Sequence, residues 1–355
     1  MSHPSLPKLR FLCFGVGAIG TYIGGSLALI GQEVVFVERP VLAEEVRREG
    51  LHLRIKDKEL HFPQPAVVFS IEEALKLGPF DAALLAVKSY DTQTLLNDLV
   101  PYKVALPPVL CLQNGVENEQ RLVEVFGNDR VIAGTITSAV GRRRAGNIVL
   151  EKLRGMGIAS EHSLAPTLVA ILQAAGLKAR QYESAASMKW SKMLTNLLAN
   201  ASSAILDMSP EEIFSNPKIY WLEVEMLREA LRVMAAQQYT VIDLPGTPVR
   251  MLCWLVESFP PAFSQPLLMR SLGKGRGAKM PSFYIDLSSG CGFSEVDYLN
   301  GAVVRFGDRL GISTPVNRML TETLLSLTCG DLPRNTFSKQ PGKLIALLKK
   351  YGKPA

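Results

Sequence analysis

Lys192, Asn196 and Asn200 recur every four residues in WSKMLTNLLANASSAIL (190–206), a stretch otherwise dominated by Leu, Ala, Met and Ile. The pattern predicts one continuous helix. At about 100° per residue, Lys189, Lys192, Asn196, Asn200 and Ser203 share a sector about 80° wide. A solvated face would be broader and richer in Glu, Lys and Arg. A narrow polar stripe fits the wall of a buried polar pocket. It also fits an exposed edge, or asparagines bonding to nearby backbone, and the helix alone does not choose. The chemistry of these side chains is specific. A partly desolvated lysine has a lowered pKa and can protonate a carbonyl oxygen or stabilise an alkoxide. Carboxamides hold hydroxyl or carboxylate oxygens without adding charge.

A hydride donor would complete such a site, and FGVGAIG supplies the signature of one. Gly15, Gly17 and Gly20 stand in GxGxxG spacing after an apolar strand-like run and before a helix-like one. In that context the glycines allow a tight turn, close approach of backbone to a pyrophosphate, and close helix–strand packing. Ala18 and Ile19 open the helix, whose free N–H groups and positive dipole end favour phosphate. About 20 residues further on, an acidic residue would take a ribose 2′-hydroxyl and an arginine a 2′-phosphate. Glu38 and Arg39 stand there together. Arg39 argues for NADP and Glu38 for NAD, the bland alternative being a surface ion pair at a strand end. In a nicotinamide enzyme that reduces a ketone, Lys192 would be the proton donor, with Asn196 and Asn200 as positioning groups.

These residues must be carried by two kinds of structure. RFLCFG, EVVFVE, DAALLAV and PVLCLQNG read as buried strands alternating with helices, which predicts a doubly wound parallel sheet of Rossmann type. Beyond about residue 182 long helical patterns dominate. The expected division is therefore a dinucleotide-binding domain over 1–183 and an all-helical domain, for substrate and dimerisation, over 184–355. Residues 244–281, rich in Pro and Gly with an apolar middle, read as an insertion, a lid or a subunit contact.

Composition narrows the function classes. Hydrophobic residues make up 47% and charged residues 20% of the 355, a globular balance. The net charge of +6 is scattered apart from GRRR (141–144) and KGRG (274–277). That is no nucleic-acid module, and it suits small anions better. The five cysteines are far apart and the four histidines show no ligand spacing. Reduced thiols, no metal and a cytoplasmic setting are expected. The run 11–30 holds five glycines and no evident cleavage site, so neither targeting nor a membrane is expected.

Five motifs in order resemble the ketopantoate reductase (2-dehydropantoate 2-reductase) family: GVGAIG, VKSYDT (87–92), LQNGVEN (112–118), WSKMLTNLLANASSAIL, and the pair PSFYIDL…SEVDYLNG (281–301). The similarity spans roughly residues 10–325. It implies that Lys192 is the general acid and that Glu295 orients the substrate hydroxyl. Asn114 would lie between cofactor and substrate. Asn196 and Asn200 would bind the substrate's hydroxyl end and Ser282 its carboxylate. Lys88 would approach the cofactor's phosphates or ribose, and Arg39 a 2′-phosphate. Each has a structural rival: a solvated loop lysine for Lys88, an Asn-Gly turn for Asn114, a helix N-terminal acid for Glu295, and a helix N-cap for Ser282. Three features depart from the family pattern: SSGCGFSE before Glu295, the long 244–281 segment, and Glu38. The expected activity is NAD(P)H-dependent reduction of a 2-oxo acid, ketopantoate or a relative, with NADP as the expected cofactor and NAD left possible by Glu38. Its rivals are a two-domain dehydrogenase for another hydroxy acid or an opine-like substrate, and a non-catalytic dinucleotide sensor. A substrate panel separates the first, and a sensor would need no proton donor. The one macromolecular partner kept open is a second copy of the chain, in a homodimer.

Overall fold

Short apolar runs form the strands of the protein because both faces of a parallel sheet are covered. The computed structural model describes residues 6–269 and 279–352, so the basic run at 274–277 and the neighbouring part of 244–281 lie outside the described residues. Twelve strands are described: β1 (Arg10–Phe14), β2 (Glu33–Val37), β3 (Leu51–Ile55), β4 (Lys58–Phe62), β5 (Ala66–Val68), β6 (Ala82–Leu85), β7 (Val109–Cys111), β8 (Val131–Ile136), β9 (Ala139–Arg144), β10 (Asn147–Lys152), β11 (Met156–Ala159) and β12 (Ala179–Tyr182). Eight form one sheet in the order β12-β11-β8-β7-β6-β1-β2-β5. Its pairs are parallel except β8 with β11. Leu12 on β1 lies opposite Val35 on β2 and Ala83 on β6. The chain builds outward from β1 through β2 to β5, then crosses to β6 on the other side of β1. That reversal places the switch point at the carboxyl ends of β1 and β6, where open α/β sheets bind ligands.

Helix Ala18–Leu29 is buried almost all round, from Gly20 through Ala28. Two sheets explain this. A Cβ on Gly24 would lie 2.6 Å from the Phe36 ring of β2, and one on Gly25 would lie 3.0 Å from Leu53 of β3. Bulkier residues would therefore push the helix off one sheet or the other. The second sheet, β4-β3-β10-β9, was not expected from the alternation of elements. Its edges carry charge, as edges in contact with water must. Arg144 on β9 pairs with Glu49 at 3.0 Å and Glu45 at 3.8 Å, so part of the basic GRRR run has structural ion-pair work.

Contacts divide the chain into two units. The first runs to Lys189 and takes back Leu244–Thr247; the second comprises Trp190–Asp243 and the chain from Pro248 onward. The division falls inside helix Ala185–Leu197, a few residues beyond the boundary expected near 183. Leu244–Thr247 belongs with the first unit because Thr137 Oγ1 donates to the Pro245 carbonyl at 2.8 Å. In the second unit every described regular element is a helix. Mixed α/β with a parallel-sheet first unit and a helical second is the architecture that the sequence predicts.

The stretch 190–206 corrects the sequence reading. It is two helices, Ala185–Leu197 and Ala201–Leu206, separated by a turn at 198–200. Ala199 adopts a left-handed φ of 52°. Glu223, buried on helix Pro217–Ala236, holds the turn by accepting from Ala199 N at 2.5 Å and Ser202 Oγ at 2.6 Å. Helical angles measured through Asn200 and Ser203 therefore do not apply.

Further along the same helix, Glu229 accepts from Val316 N at 2.8 Å and Asn317 N at 2.9 Å, at the start of helix Pro315–Cys329. Burial pushes its carboxyl up to about 7 against the pull of these bonds. Between 4.5, its ordinary value, and about 7 the folded chain holds a proton that the unfolded chain has released. Stability from this group therefore falls as pH rises through that window. The wild type should lose about 3 kcal/mol relative to Glu229→Gln between pH 4.5 and 7.5, at about 1.4 kcal/mol per pH unit. Urea unfolding at both pH values checks this, and a pH-independent difference refutes it.

Candidate active site

The glycine turn closes β1 onto its helix. Gly15 takes a φ of +96° and its N–H donates to Val37 O at 3.0 Å. A Cβ on Gly20 would run into the Gly15 carbonyl oxygen, so only glycine lets the helix start here. Around Gly17, the N-cap, a Cβ would meet nothing within 4 Å. The helix that begins with Ala18 and Ile19 has no side-chain cap and no acid in its first turn. Open space before an uncapped N-terminus fits a pyrophosphate. Glu38, at the end of β2, reaches back over the turn. Its Oε2 accepts from Val16 N at 3.0 Å and its Oε1 from Arg39 N at 2.8 Å. Its side chain is 11% exposed, whereas that of Arg39 is 83% exposed and stands 3.7 Å from the Glu38 carboxylate.

The loops after β6 and β7 are stitched together. Gln113 Nε2 donates to Val87 O at 3.0 Å, Lys88 O at 3.3 Å and Thr92 Oγ1 at 2.8 Å. Asn118 Nδ2 donates to Asn114 O at 2.7 Å and Ser89 Oγ at 3.1 Å. Asn114 is exposed and precedes Gly115, whose φ is 90°; Lys88 is half-buried. Beneath these loops lies Lys189, 5% exposed. Its Nζ pairs with Glu119 at 2.6 Å and donates to Gln113 O at 2.6 Å and Gly134 O at 3.2 Å. Burial opposes the charge, but Glu119 outweighs it and holds the ammonium above the ordinary lysine range. Sequence reasoning placed Lys189 in the polar stripe and overlooked Gln113 and Asn118. The available signal was a polar residue directly after the apolar run PVLCL.

In the second unit, Lys192, Thr195 and Asn196 are the only partly accessible positions between 187 and 200. Lys192 Nζ donates to Asn196 Oδ1 at 2.7 Å, as the four-residue spacing allows, and Thr195 Oγ1 donates to Lys192 O at 2.7 Å. Asn200 is engaged with the start of helix Ser282–Ser289. Its Oδ1 accepts from Phe283 N at 3.1 Å, and its Nδ2 donates to Asn196 O at 3.1 Å and Ser282 Oγ at 3.4 Å. Pro281, not Ser282, occupies the N-cap of that helix. Glu295 is 3% exposed at the N-cap of helix Val296–Leu310 and makes no capping bond with its side chain. Lys192, Asn196, Asn200, Ser282 and Glu295 thus share the second unit. Gly15, Gly17, Ala18, Ile19, Gly20, Arg39, Lys88 and Asn114 share the first.

Residues 11–160 match the family described as ketopantoate reductase PanE/ApbA, and residues 185–327 match its C-terminal counterpart. The chain belongs to the ketopantoate reductase family. A 2-dehydropantoate 2-reductase of Pyrococcus horikoshii is 25% identical over 325 residues, covering 88% of this chain and 95% of that one. The crystal structure of a PanE/ApbA family ketopantoate reductase from Ralstonia eutropha superposes with a TM-score of 0.74 at 27% identity, covering 90% and 98% of the two chains. A D-mandelate dehydrogenase, solved with NADH and anilino(oxo)acetate, gives a TM-score of 0.75 at 21% identity, covering 90% and 99%. At that identity the likeness is one of fold. Membership of the ketopantoate reductases makes the chain an oxidoreductase. Among the described residues no cluster of His, Cys, Asp and Glu could hold a metal, and no helix is long and apolar enough to cross a membrane.

Lys189→Met would strand Glu119 and the Gln113 carbonyl in a dry site. It should lower the unfolding free energy by about 3–5 kcal/mol, the cost of breaking a buried pair. Adding Glu119→Gln should recover part of that loss. The lysine's contribution is fully present at neutral pH and is lost as pH rises above the ordinary lysine range. Urea midpoints report it, and a loss below about 1 kcal/mol would mark the pair as no stronger than an exposed one.

Proposed function

We propose that this protein is an NAD(P)H-dependent reductase of a 2-oxo acid, with 2-dehydropantoate, reduced to pantoate, as the first candidate substrate. The observation that carries the reading is Lys192. Its Nζ lies 2.7 Å from Asn196 Oδ1 on a helix face opened only at Lys192, Thr195 and Asn196, in a chain of the ketopantoate reductase family. Bound dinucleotide would supply the hydride that attacks the keto carbon. The Lys192 ammonium would hydrogen-bond the keto oxygen and pass it a proton, leaving a neutral amine to be reprotonated from water. Asn196 would keep the ammonium turned toward the reacting oxygen. Glu295 would accept from the substrate hydroxyl, and Asn200 and Ser282 would meet the hydroxyl and carboxylate ends. In the first unit, Gly15, Gly17, Ala18, Ile19 and Gly20 would cradle the pyrophosphate. Lys88 would face phosphate or ribose, Asn114 the nicotinamide end, and Arg39 any 2′-phosphate.

A second reading, a bulkier 2-oxo acid, has one feature in its favour. The turn before Glu295 carries Cys291 and a Phe293 that is 58% exposed, a departure at a segment read as adjoining the substrate. The D-mandelate dehydrogenase of similar fold was solved with an aromatic oxo acid and NADH.

The test is a panel of 2-dehydropantoate, pyruvate and phenylglyoxylate with NADH and NADPH, followed at the reduced-nicotinamide absorbance. Highest kcat/KM for 2-dehydropantoate supports the first reading, and preference for phenylglyoxylate supports the second. Lys192→Ala should lower kcat at least about 10²-fold, the lower range for general acids, with dinucleotide affinity unchanged. Turnover at the wild-type rate in that variant would remove Lys192 from the mechanism.

A further inference from the structure

Two neighbouring side chains of opposite charge follow β2, and the structure treats them unequally. Glu38 is drawn inward: two backbone N–H groups, those of Val16 and Arg39, fix its carboxylate at 3.0 and 2.8 Å. Val16 lies between Gly15 and Gly17, so the carboxylate stands over the turn that would receive the dinucleotide. Glu38 N itself is tied to Val68 O at 3.1 Å, which anchors the residue to the sheet. Arg39 has no comparable restraint. Its side chain is 83% exposed, and its contact with Glu38 is a 3.7 Å ion pair.

The two forms of the cofactor differ only at the adenine-ribose 2′ position, which this part of the fold recognises. A 2′-hydroxyl is a hydrogen-bond donor. A carboxylate with two of its roughly four lone-pair directions occupied still has a face to accept it. A 2′-phosphate is an anion with no proton to offer. Beside Glu38 it would meet a like charge that is shielded from water and cannot swing aside without abandoning Val16 and Arg39. The arginine that would compensate is exposed to water and already faces the same carboxylate.

We propose that Glu38 makes this chain select NADH over NADPH, accepting a hydrogen bond from the ribose 2′-hydroxyl and repelling a 2′-phosphate. This rests on the dinucleotide reading of the glycine turn and is independent of the substrate. The test is equilibrium binding of NADH and NADPH to the full chain without substrate, by tryptophan fluorescence or calorimetry. The wild type should bind NADH at least about tenfold more tightly, since juxtaposed like charges are strongly disfavoured. Glu38→Gln keeps the length and one acceptor oxygen but removes the charge. It should strengthen NADPH binding at least about tenfold and weaken NADH binding a few-fold. Adding Arg39→Ala should cancel the gain in NADPH affinity.

Equal or tighter NADPH binding by the wild type overturns the proposal, and needs no variant to fold. An unchanged affinity ratio in a folded Glu38→Gln variant overturns it as well. Failure of both dinucleotides to bind would sink the dinucleotide reading along with it. Normal binding without turnover of any oxo acid would sink only the substrate assignment.

Discussion

The Lys189 ammonium is buried beneath the carboxyl edge of the large sheet, 2.6 Å from Glu119 and from the Gln113 carbonyl. Removing an ammonium from water costs several kcal/mol unless its donors are met, so Glu119, Gln113 O and Gly134 O must converge on it. That requirement fixes the backbone just beyond β7 and within β8. With its carbonyl held from below, Gln113 can extend its amide across to Val87 and Lys88 and join two loops at the switch point. Asn118, the first residue of the next helix, makes the same join. The edge that carries Lys88 and Asn114 is therefore a hydrogen-bonded platform, the kind of support that a positioning site requires.

Lys192 stands one turn further along the same helix in a different environment. Lys189 is saturated by a carboxylate and two carbonyls in a dry site, whereas Lys192 is only partly buried and donates to the Asn196 carboxamide. A fully buried, strongly paired ammonium is a poor proton donor, because its partners favour the charged form and a substrate oxygen has no way to reach it. Access, which Lys189 lacks, is what the role proposed for Lys192 requires.

The strand–helix alternation was legible because parallel strands buried on both faces need unbroken apolar runs, and those runs occur. The glycine spacing was legible because Gly20 has no alternative residue: any Cβ meets the Gly15 carbonyl. The second sheet was not. Its strands Lys58–Phe62 and Ala139–Arg144 are half polar, and their place depends on pairings distant in sequence. The break at 198–200 was also hidden, because Leu-Ala-Asn continues a helical period without interruption. The cause lies elsewhere in the chain, in the buried carboxylate of Glu223 that accepts the Ala199 N–H and makes a left-handed residue tolerable there. The break changes how Asn200 is presented. A continuous helix would set it on one face with Asn196, whereas the turn directs its amide to the start of helix Ser282–Ser289, linking two candidate positions widely separated in sequence.

Glu38 and Arg39 carry the same lesson at the smallest scale. As letters they are adjacent opposite charges at a strand end, Arg39 favouring NADP and Glu38 keeping NAD open. Backbone geometry separates them. Glu38 is the last residue tied to the sheet, and its carboxylate meets the Val16 N–H across the turn. Arg39 is followed by Pro40, whose ring disfavours helical backbone in the residue before it. Arg39 therefore remains outside helix Pro40–Glu49 at φ −58° and ψ 144°, with its side chain in water. One charge is built into the cradle and the other is left on its rim. Because the glycine turn and the uncapped helix end are indifferent to the ribose 2′ substituent, cofactor preference can rest on the residue that is built in. The rest of the dinucleotide site need not change for that preference to differ between members of one family.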